Sequence, residues 1–210
     1  MGRSIRSQLS DELRGAGLPF VAFSIALNLT AGQLAAAVKL PIYLDSLGTV
    51  LTAVLCGPWS AILAGISSNV LAAAFGNPTM IFFIPVMVVI GGFTGFIARH
   101  GWFRHWYLVP LGGILQGILA ACASAPIAAY LFSGVTLGGT DFLVLYFRSV
   151  GNSLLQSVFY QGLSSDPADK VITYLLVFLL CRNLPLRLLQ RFRGGNTVIT
   201  KNRLRQHYAL

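Results

Sequence analysis

The most specific chemical signal in the sequence is a polar stripe within the apolar segment 141–163. Written at four-residue spacing, the segment carries two polar lines: Arg148, Asn152, Gln156 and Tyr160, then Ser149, Ser153, Ser157 and Gln161. Residues four apart share one face of a helix. Such a face suits either the wall of a small-molecule cavity or a helix that lies on the membrane surface with its polar side in water. The sequence leaves both interpretations open.

Three further polar residues stand near the predicted ends of apolar segments: Asp45, Asn69 and Asn77. Asn77 precedes a proline and also suits a turn, and Asp45 suits a helix cap equally well. A charge facing lipid costs roughly 2.5–3.5 kcal/mol, so Arg148 should face protein, water or ligand. We expect the substrate site to lie between these residues and the stripe, and Arg148→Ala or Asn152→Ala to weaken binding.

The sequence shows no arrangement typical of an enzyme. Its six acidic residues all fall outside the deep parts of the predicted spans, and its three histidines fall on the predicted cytoplasmic side. Intramembrane hydrolysis, a metal site or a proton relay needs buried Asp, Glu or His. No Gly-x-x-x-x-Gly-Lys loop is present, and Cys56, Cys122 and Cys181 lack metal-ligand spacing. We predict a protein that is not an enzyme and binds no cofactor or metal.

The composition places the chain in a membrane. Of its 210 residues 55% are hydrophobic and 10% charged, whereas soluble domains carry roughly 25% charged residues. Residues 15–38, 46–98 and 107–140 contain no charge. This pattern excludes a secreted disulfide scaffold, a nucleic-acid module and a cytosolic enzyme. An N-terminal signal peptide ending at Ala35-Ala36-Ala37 is a weaker alternative, because Asn28 and Thr30 interrupt its apolar region.

The net charge of +9 is explained by cations that flank the apolar segments. They are Arg3, Arg6, Arg14, Arg99, Arg104, Arg182, Arg187, Arg191, Arg193, Lys201, Arg203 and Arg205. Cationic flanks remain cytoplasmic, and a basic tail also contacts anionic lipid. Both termini are therefore predicted to be cytoplasmic. The tail has no interleaved aromatic residues, so we predict no nucleic-acid partner.

Hydropathy and helix punctuation predict an all-α membrane protein with six spans, each needing roughly 20 residues. The predicted spans are 18–38, 41–57, 58–76, 79–98, 107–132 and 167–184. Gly57-Pro58 separates the second span from the third. One bent helix over 46–76 is the alternative, but it would put Arg99 and Arg104 outside.

The last span is predicted to begin at Pro167, with Ser165 or Asp166 as its cap. Residues 141–163 then form an outer helix or re-entrant element before it. The chain divides into a basic N-terminus, 1–17, a membrane domain, 18–184, and a basic tail, 185–210.

Four features together resemble the substrate-binding S components of energy-coupling factor (ECF) transporters. They are six spans with basic ends, Ala-x-x-x-Ala pairs in span one, LDSLGTVLTAVLCGPWSAILAGISSNVL at 44–71, and DPADKVITYLLVFLLCRNLP at 166–185. The resemblance covers most of residues 18–190, and its weight comes from the order of these loose motifs.

The resemblance implies a vitamin-uptake subunit of a bacterial or archaeal cytoplasmic membrane. Its partners would be a vitamin-like small molecule, a transmembrane coupling protein and two cytoplasmic ATPases. Carried onto this chain, it implies substrate contacts at Tyr43, Asp45, Arg148, Asn152 and Gln156, and docking of the coupling protein at the paired alanines, Ala22 and Ala26. No signature identifies the vitamin. A channel or secondary carrier that acts alone is the main alternative.

Overall fold

The computed structural model describes residues 4–38, 40–136 and 140–199, which form helices and no β-strand. The α-helices are α1 Ile5–Leu13, α2 Gly17–Ala37, α3 Leu47–Leu55, α4 Pro58–Ala74, α5 Ile84–Arg99, α6 Leu108–Phe132, α7 Asp141–Ser149, α8 Leu154–Asn183 and α9 Leu186–Leu189. Short 3-10 helices occupy Pro78–Phe83, Trp102–Arg104 and Gly195–Thr197. The predicted all-α class is confirmed for the described residues.

Within the described residues, three helical segments are long and apolar enough to cross a membrane: Gly17–Ala37, Pro78–Arg99 and Leu108–Phe132. The predicted second span is shorter in the structure, because α3 has nine residues and extends about 14 Å. A hydrocarbon core is ~30 Å thick. Every residue of α3 from Gly48 to Leu55 is buried, so other helices enclose it.

The turn between α3 and α4 is as the sequence predicts. Gly57 has φ +131°, and Pro58 is the first residue of α4. This turn receives the side chain of Glu12 from α1, whose Oε2 accepts a hydrogen bond from Ser60 N at 2.8 Å. Arg99 Nη2 donates to Oε1 at 2.7 Å. The N-terminal helix is thereby attached to α4 and α5.

Both described ends of the chain meet at this end of the helical body. Gly194 N donates to Leu55 O at 2.7 Å, and Arg104 Nε donates to Thr197 O at 2.9 Å. A polar pocket here is lined by Glu12, Arg14, Arg191 and Arg193 among others. Cations far apart in the sequence are therefore gathered at one end of the protein.

Helices α6 and α8 pack with their backbones in close approach. A Cβ atom on Gly113 would lie 2.7 Å from Val171 Cα, and one on Gly117 would lie 2.3 Å from Pro167 Cα. Residues 113, 117 and 121 follow the small-x-x-x-small spacing that permits such packing in membranes. These glycines fix the position of α8 against α6.

The prediction that a helix starts at Pro167 is wrong. Helix α8 runs without interruption over 30 residues, with Pro167 in its interior. It begins after Ser153, where Gln156 N donates to Ser153 Oγ and Ser153 N donates to Gln156 Oε1. This capping box satisfies two terminal N–H groups. The polar residues that suggested a later start, Asp166 and Asp169, are buried against protein.

The segment 141–163 is not one helix either. It divides into α7 and the first turns of α8, and Gly151, with φ +96°, lies in the connection. Arg148 therefore lies on one helix and Gln156 on the next. The four-residue line predicted from the sequence does not form a continuous face.

Candidate functional site

A cavity of about 300 Å³ opens between α2, α4, α5, α6 and α8. One end of the cavity is lined by residues of the loop 40–45, by Gly76 and Asn77 and by Thr136. We call this end, which lies opposite to Gly57 and Arg99, the mouth. Its apolar wall includes Phe83, Val86, Met87, Ile90 and Ala120. A pocket of this size with apolar walls and a few polar groups is typical of small-molecule sites.

Asn28 forms the polar floor of the cavity and joins three helices. Its Nδ2 donates to Thr49 Oγ1 at 2.8 Å and to Ser68 Oγ at 2.9 Å. Its Oδ1 accepts from Gly48 N at 2.6 Å and from Thr49 N at 3.2 Å. All four bonds of this amide are made within the protein, so Asn28 positions α2, α3 and α4.

A buried ion pair on α8 holds the loop 40–46. Asp169 Oδ1 accepts from Tyr43 N at 3.0 Å and from Leu44 N at 2.8 Å. Lys170 Nζ donates to Asp169 Oδ2, and to Ser46 Oγ at 2.9 Å. Leu44 has φ +53°, a left-handed conformation that costs energy for a leucine and persists where neighbours enforce it. The pair therefore sets the shape of the loop that borders the mouth.

Tyr43 completes the attachment of this loop. Its hydroxyl lies 2.7 Å from Thr140 Oγ1 and accepts a hydrogen bond from Gln161 Nε2 at 3.0 Å. These two contacts attach the loop to Gln161 of α8 and to Thr140, which directly precedes α7.

Two carboxylates near the pair face the cavity. Asp45 Oδ1 lies 3.9 Å from Lys170 Nζ, and its side chain is 32% exposed. Asp166 lines the cavity and receives a hydrogen bond from Ser165 Oγ at 3.4 Å. Asn69, also on the wall, donates to Met80 O at 3.0 Å. These groups offer oxygen acceptors to a bound molecule.

The structure brings together four of the predicted substrate-binding residues. Tyr43, Asp45, Asn69 and Asn77 all line the cavity. Asn77 Oδ1 accepts from Thr79 Oγ1 at 2.6 Å, so Asn77 also shapes its own turn, as its position before Pro78 suggested.

The other three predicted residues, Arg148, Asn152 and Gln156, do not line the cavity. Arg148 is exposed on α7. Asn152 Nδ2 donates to Phe147 O at 3.0 Å, and Gln156 belongs to the capping box of α8. Two of the three therefore stabilise helix ends, and the fold does not bring the three to this cavity.

Sequence reasoning missed four residues at or beside the cavity, Asn28, Asp166, Asp169 and Lys170, and it placed Gln161 on the second polar line without naming it as a site residue. The signal for three of them was present, because residues 166, 169 and 170 have the i, i+3, i+4 spacing of one helix face. Asp166 was interpreted as a cap and Asp169 as a first-turn residue of the last span, whereas both are buried in the interior of α8.

Among the described residues, no group of three or more His, Cys, Asp or Glu is arranged to hold a metal ion. No protein-family model, curated protein or solved structure shows a significant match to this chain.

Proposed function

We propose that the protein is a substrate-binding membrane subunit for a small solute, of the ECF S-component type. One observation carries the proposal: a cavity of about 300 Å³ is enclosed by apolar helices and bordered by a loop that a buried ion pair holds in place. Such a site is suited to retaining a ligand. The chain has no phosphate-binding loop, so energy for uptake would come from separate ATPases.

The test of this function is identification and transport of the ligand. We expect a native mass spectrum of the detergent-purified chain to show one co-purified small molecule. In proteoliposomes, that molecule should accumulate when a coupling protein and two ATPases are reconstituted with the chain, and not with the chain alone. Accumulation by the chain alone would instead favour a secondary carrier.

The proposed topology has six membrane segments, with α3 as a short, protein-enclosed one. Both termini are cytoplasmic, and the cavity opens to the outside. The gathering of cations at the end opposite to the mouth supports this orientation, because cationic flanks remain inside.

Cysteine labelling tests the topology in a background without native cysteines. Val135 and Asn196 are both exposed and lie at opposite ends of the protein. We expect a membrane-impermeant maleimide to label Val135→Cys in intact cells and Asn196→Cys after permeabilisation. The reverse pattern would invert the proposed orientation.

The docking surface for the coupling protein is proposed on α2. Ala22 and Ala26 are exposed one helical turn apart, and small residues at this spacing permit close approach of another helix. We expect Ala26→Trp to reduce reconstituted uptake by about tenfold or more, while ligand affinity is unchanged.

The matched control is Leu111→Trp, an exposed position on α6. It should leave uptake intact. Uptake that survives Ala22→Trp and Ala26→Trp would place the docking surface on another helix.

A further inference from the structure

We propose that the cavity selects a small organic cation, an ammonium, amidinium or protonated heterocycle with an apolar part. This inference rests on the proposed function and specifies the chemical class of its substrate. It follows from the charges around the cavity, from the polar atoms left open on its wall and from the apolar surface opposite them.

The described part of the cavity carries more negative than positive groups. Asp45 and Asp166 line it, and Asp169 lies directly behind. Lys170 is the one cationic side chain among the described residues of the lining. Three carboxylates therefore face one ammonium, so the group has a formal charge of −2 when all four are ionised.

The single ammonium is already engaged. Lys170 Nζ donates to Asp169 Oδ2 and Ser46 Oγ, and stands at 3.9 Å from Asp45 Oδ1. Asp169 also accepts two backbone N–H groups. Asp45 and Asp166 are the carboxylates that remain available to a ligand.

Acceptors predominate among the open polar atoms of the buried wall. Asp166 is 6% exposed, and its Oδ2 accepts no hydrogen bond from the described residues. Asn69 is 3% exposed, and its Nδ2 donates to Met80 O while its Oδ1 accepts from no described residue. Of the buried amide donors on the wall, Asn28 Nδ2 and Gln161 Nε2 each donate twice, and Asn69 Nδ2 donates once. Unsatisfied buried acceptors match a ligand rich in N–H groups.

A positive ligand is favoured electrostatically as well. Carboxylates removed from water are costly unless a positive charge compensates them, and N–H to carboxylate hydrogen bonds are roughly twice as strong as neutral ones. A cation bound between Asp45 and Asp166 would supply both the charge and the donors. An anion would add to the excess negative charge.

The apolar part of the cavity wall indicates that the cation is organic. Met87, Ile90 and Ala120 provide an apolar surface in the same cavity. The cavity volume of about 300 Å³ exceeds that of a bare ion, and the described residues offer no metal-binding group. The expected ligand places its charged end at Asp166 and its apolar end at Met87.

Three compounds of matched shape and different charge test the proposal: benzamidine, a cation, benzamide, which is neutral, and benzoate, an anion. Each is titrated by calorimetry into the full chain in non-ionic detergent, after high-salt washing to remove co-purified molecules. We expect benzamidine to bind about tenfold or more tightly than benzamide, and benzoate not to bind.

The same titrations are made on Asp166→Asn and Asp45→Asn, with Asp11→Asn at the opposite end as the matched control. Size-exclusion profiles establish that each variant is folded, and two cavity variants keep the test decisive if one fails to fold. We expect either cavity variant to lose about tenfold in benzamidine affinity and Asp11→Asn to match the parent.

Equal or tighter binding of benzamide or benzoate would overturn the cation preference and leave the proposed solute-binding function standing. An equal heat from sodium or potassium chloride, abolished by Asp166→Asn, would assign the negative charge to an inorganic cation and overturn the organic ligand. Binding of none of the three compounds would overturn the inference, while the mass spectrum of the co-purified molecule decides the function separately.

Discussion

Replacing Gly117 with alanine should destabilise the protein, although alanine is the better helix former. The new Cβ would lie 2.3 Å from Pro167 Cα and 2.4 Å from Pro167 N. Both neighbours are backbone atoms, so α6 and α8 must separate. Overpacking of this kind costs about 1–3 kcal/mol and occasionally more, and Gly117→Val should exceed Gly117→Ala.

Gly92→Ala provides a control with the same chemical change. Gly92 lies inside α5, and a Cβ there meets no atom within 4 Å. Alanine at this position should raise the unfolding temperature, since glycine in a helix interior is roughly 0.5–1 kcal/mol less favourable than alanine. Thermal unfolding in detergent compares the two variants. Similar stabilisation of both would show that the helices are not in contact at Gly117.

Separation of α6 from α8 should also affect the cavity. Asp166 precedes Pro167, and Asp169 and Lys170 lie in the next turn of the same helix. A shift of α8 therefore moves the residues that hold the loop 40–46. Ligand affinity should fall in Gly117→Ala even under conditions in which most of the protein remains folded.

The sequence was sufficient to predict the helices whose limits depend on local signals. The apolar run at 18–38 and the Gly57-Pro58 turn correspond closely to α2 and to the start of α4. Hydropathy and punctuation are properties of a short window, and no distant residue is needed to interpret them.

The incorrect sequence predictions concern side chains whose surroundings are set by residues far away in the chain. Asp169 looks like a helix-terminal residue in the sequence, but it is buried because Tyr43 N and Leu44 N, 126 and 125 residues away, donate to it. Pro167 looks like a first-turn proline, but it lies in the interior of α8, where its backbone packs closely against Gly117 of α6. Neither pairing leaves a signal in a local window.

The same reason explains the uneven prediction of the site. Asp45, Asn69 and Asn77 were found because polar residues are rare near the ends of apolar segments. Arg148, Asn152 and Gln156 were expected on one continuous helical face, and the break at Gly151, which separates α7 from α8, was not anticipated. Gly151 lies between these polar residues, and a glycine inside a helical pattern can indicate a helix end.

Breaking the ion pair between Asp169 and Lys170 should have the largest effect on stability. Asp169→Ala would leave a buried ammonium without its nearest carboxylate, and two backbone N–H groups of the loop without an acceptor. Removing one partner of a buried pair costs about 3–5 kcal/mol. We expect the single variant to yield little folded protein, and Lys170→Met to be impaired similarly because it leaves Asp169 without its ammonium.

The double variant Asp169→Asn/Lys170→Met should be more stable than either of these single variants. Asparagine keeps an oxygen that can accept from Tyr43 N and Leu44 N, and methionine fills the volume of the lysine stem without a charge. Replacing a buried pair with neutral groups of similar size is often nearly neutral for stability. With Asp169→Asn as the fourth variant, unfolding temperatures form a double-mutant cycle that isolates the coupling between the two charges. Simple additivity of the two substitutions would mean that the pair does not stabilise the loop.

The double change removes one negative and one positive charge, so Asp45 and Asp166 retain the formal excess of two. Binding of benzamidine in preference to benzamide should therefore persist in the double variant, which would separate the role of the pair in holding the loop from the role of the open carboxylates in selecting the ligand.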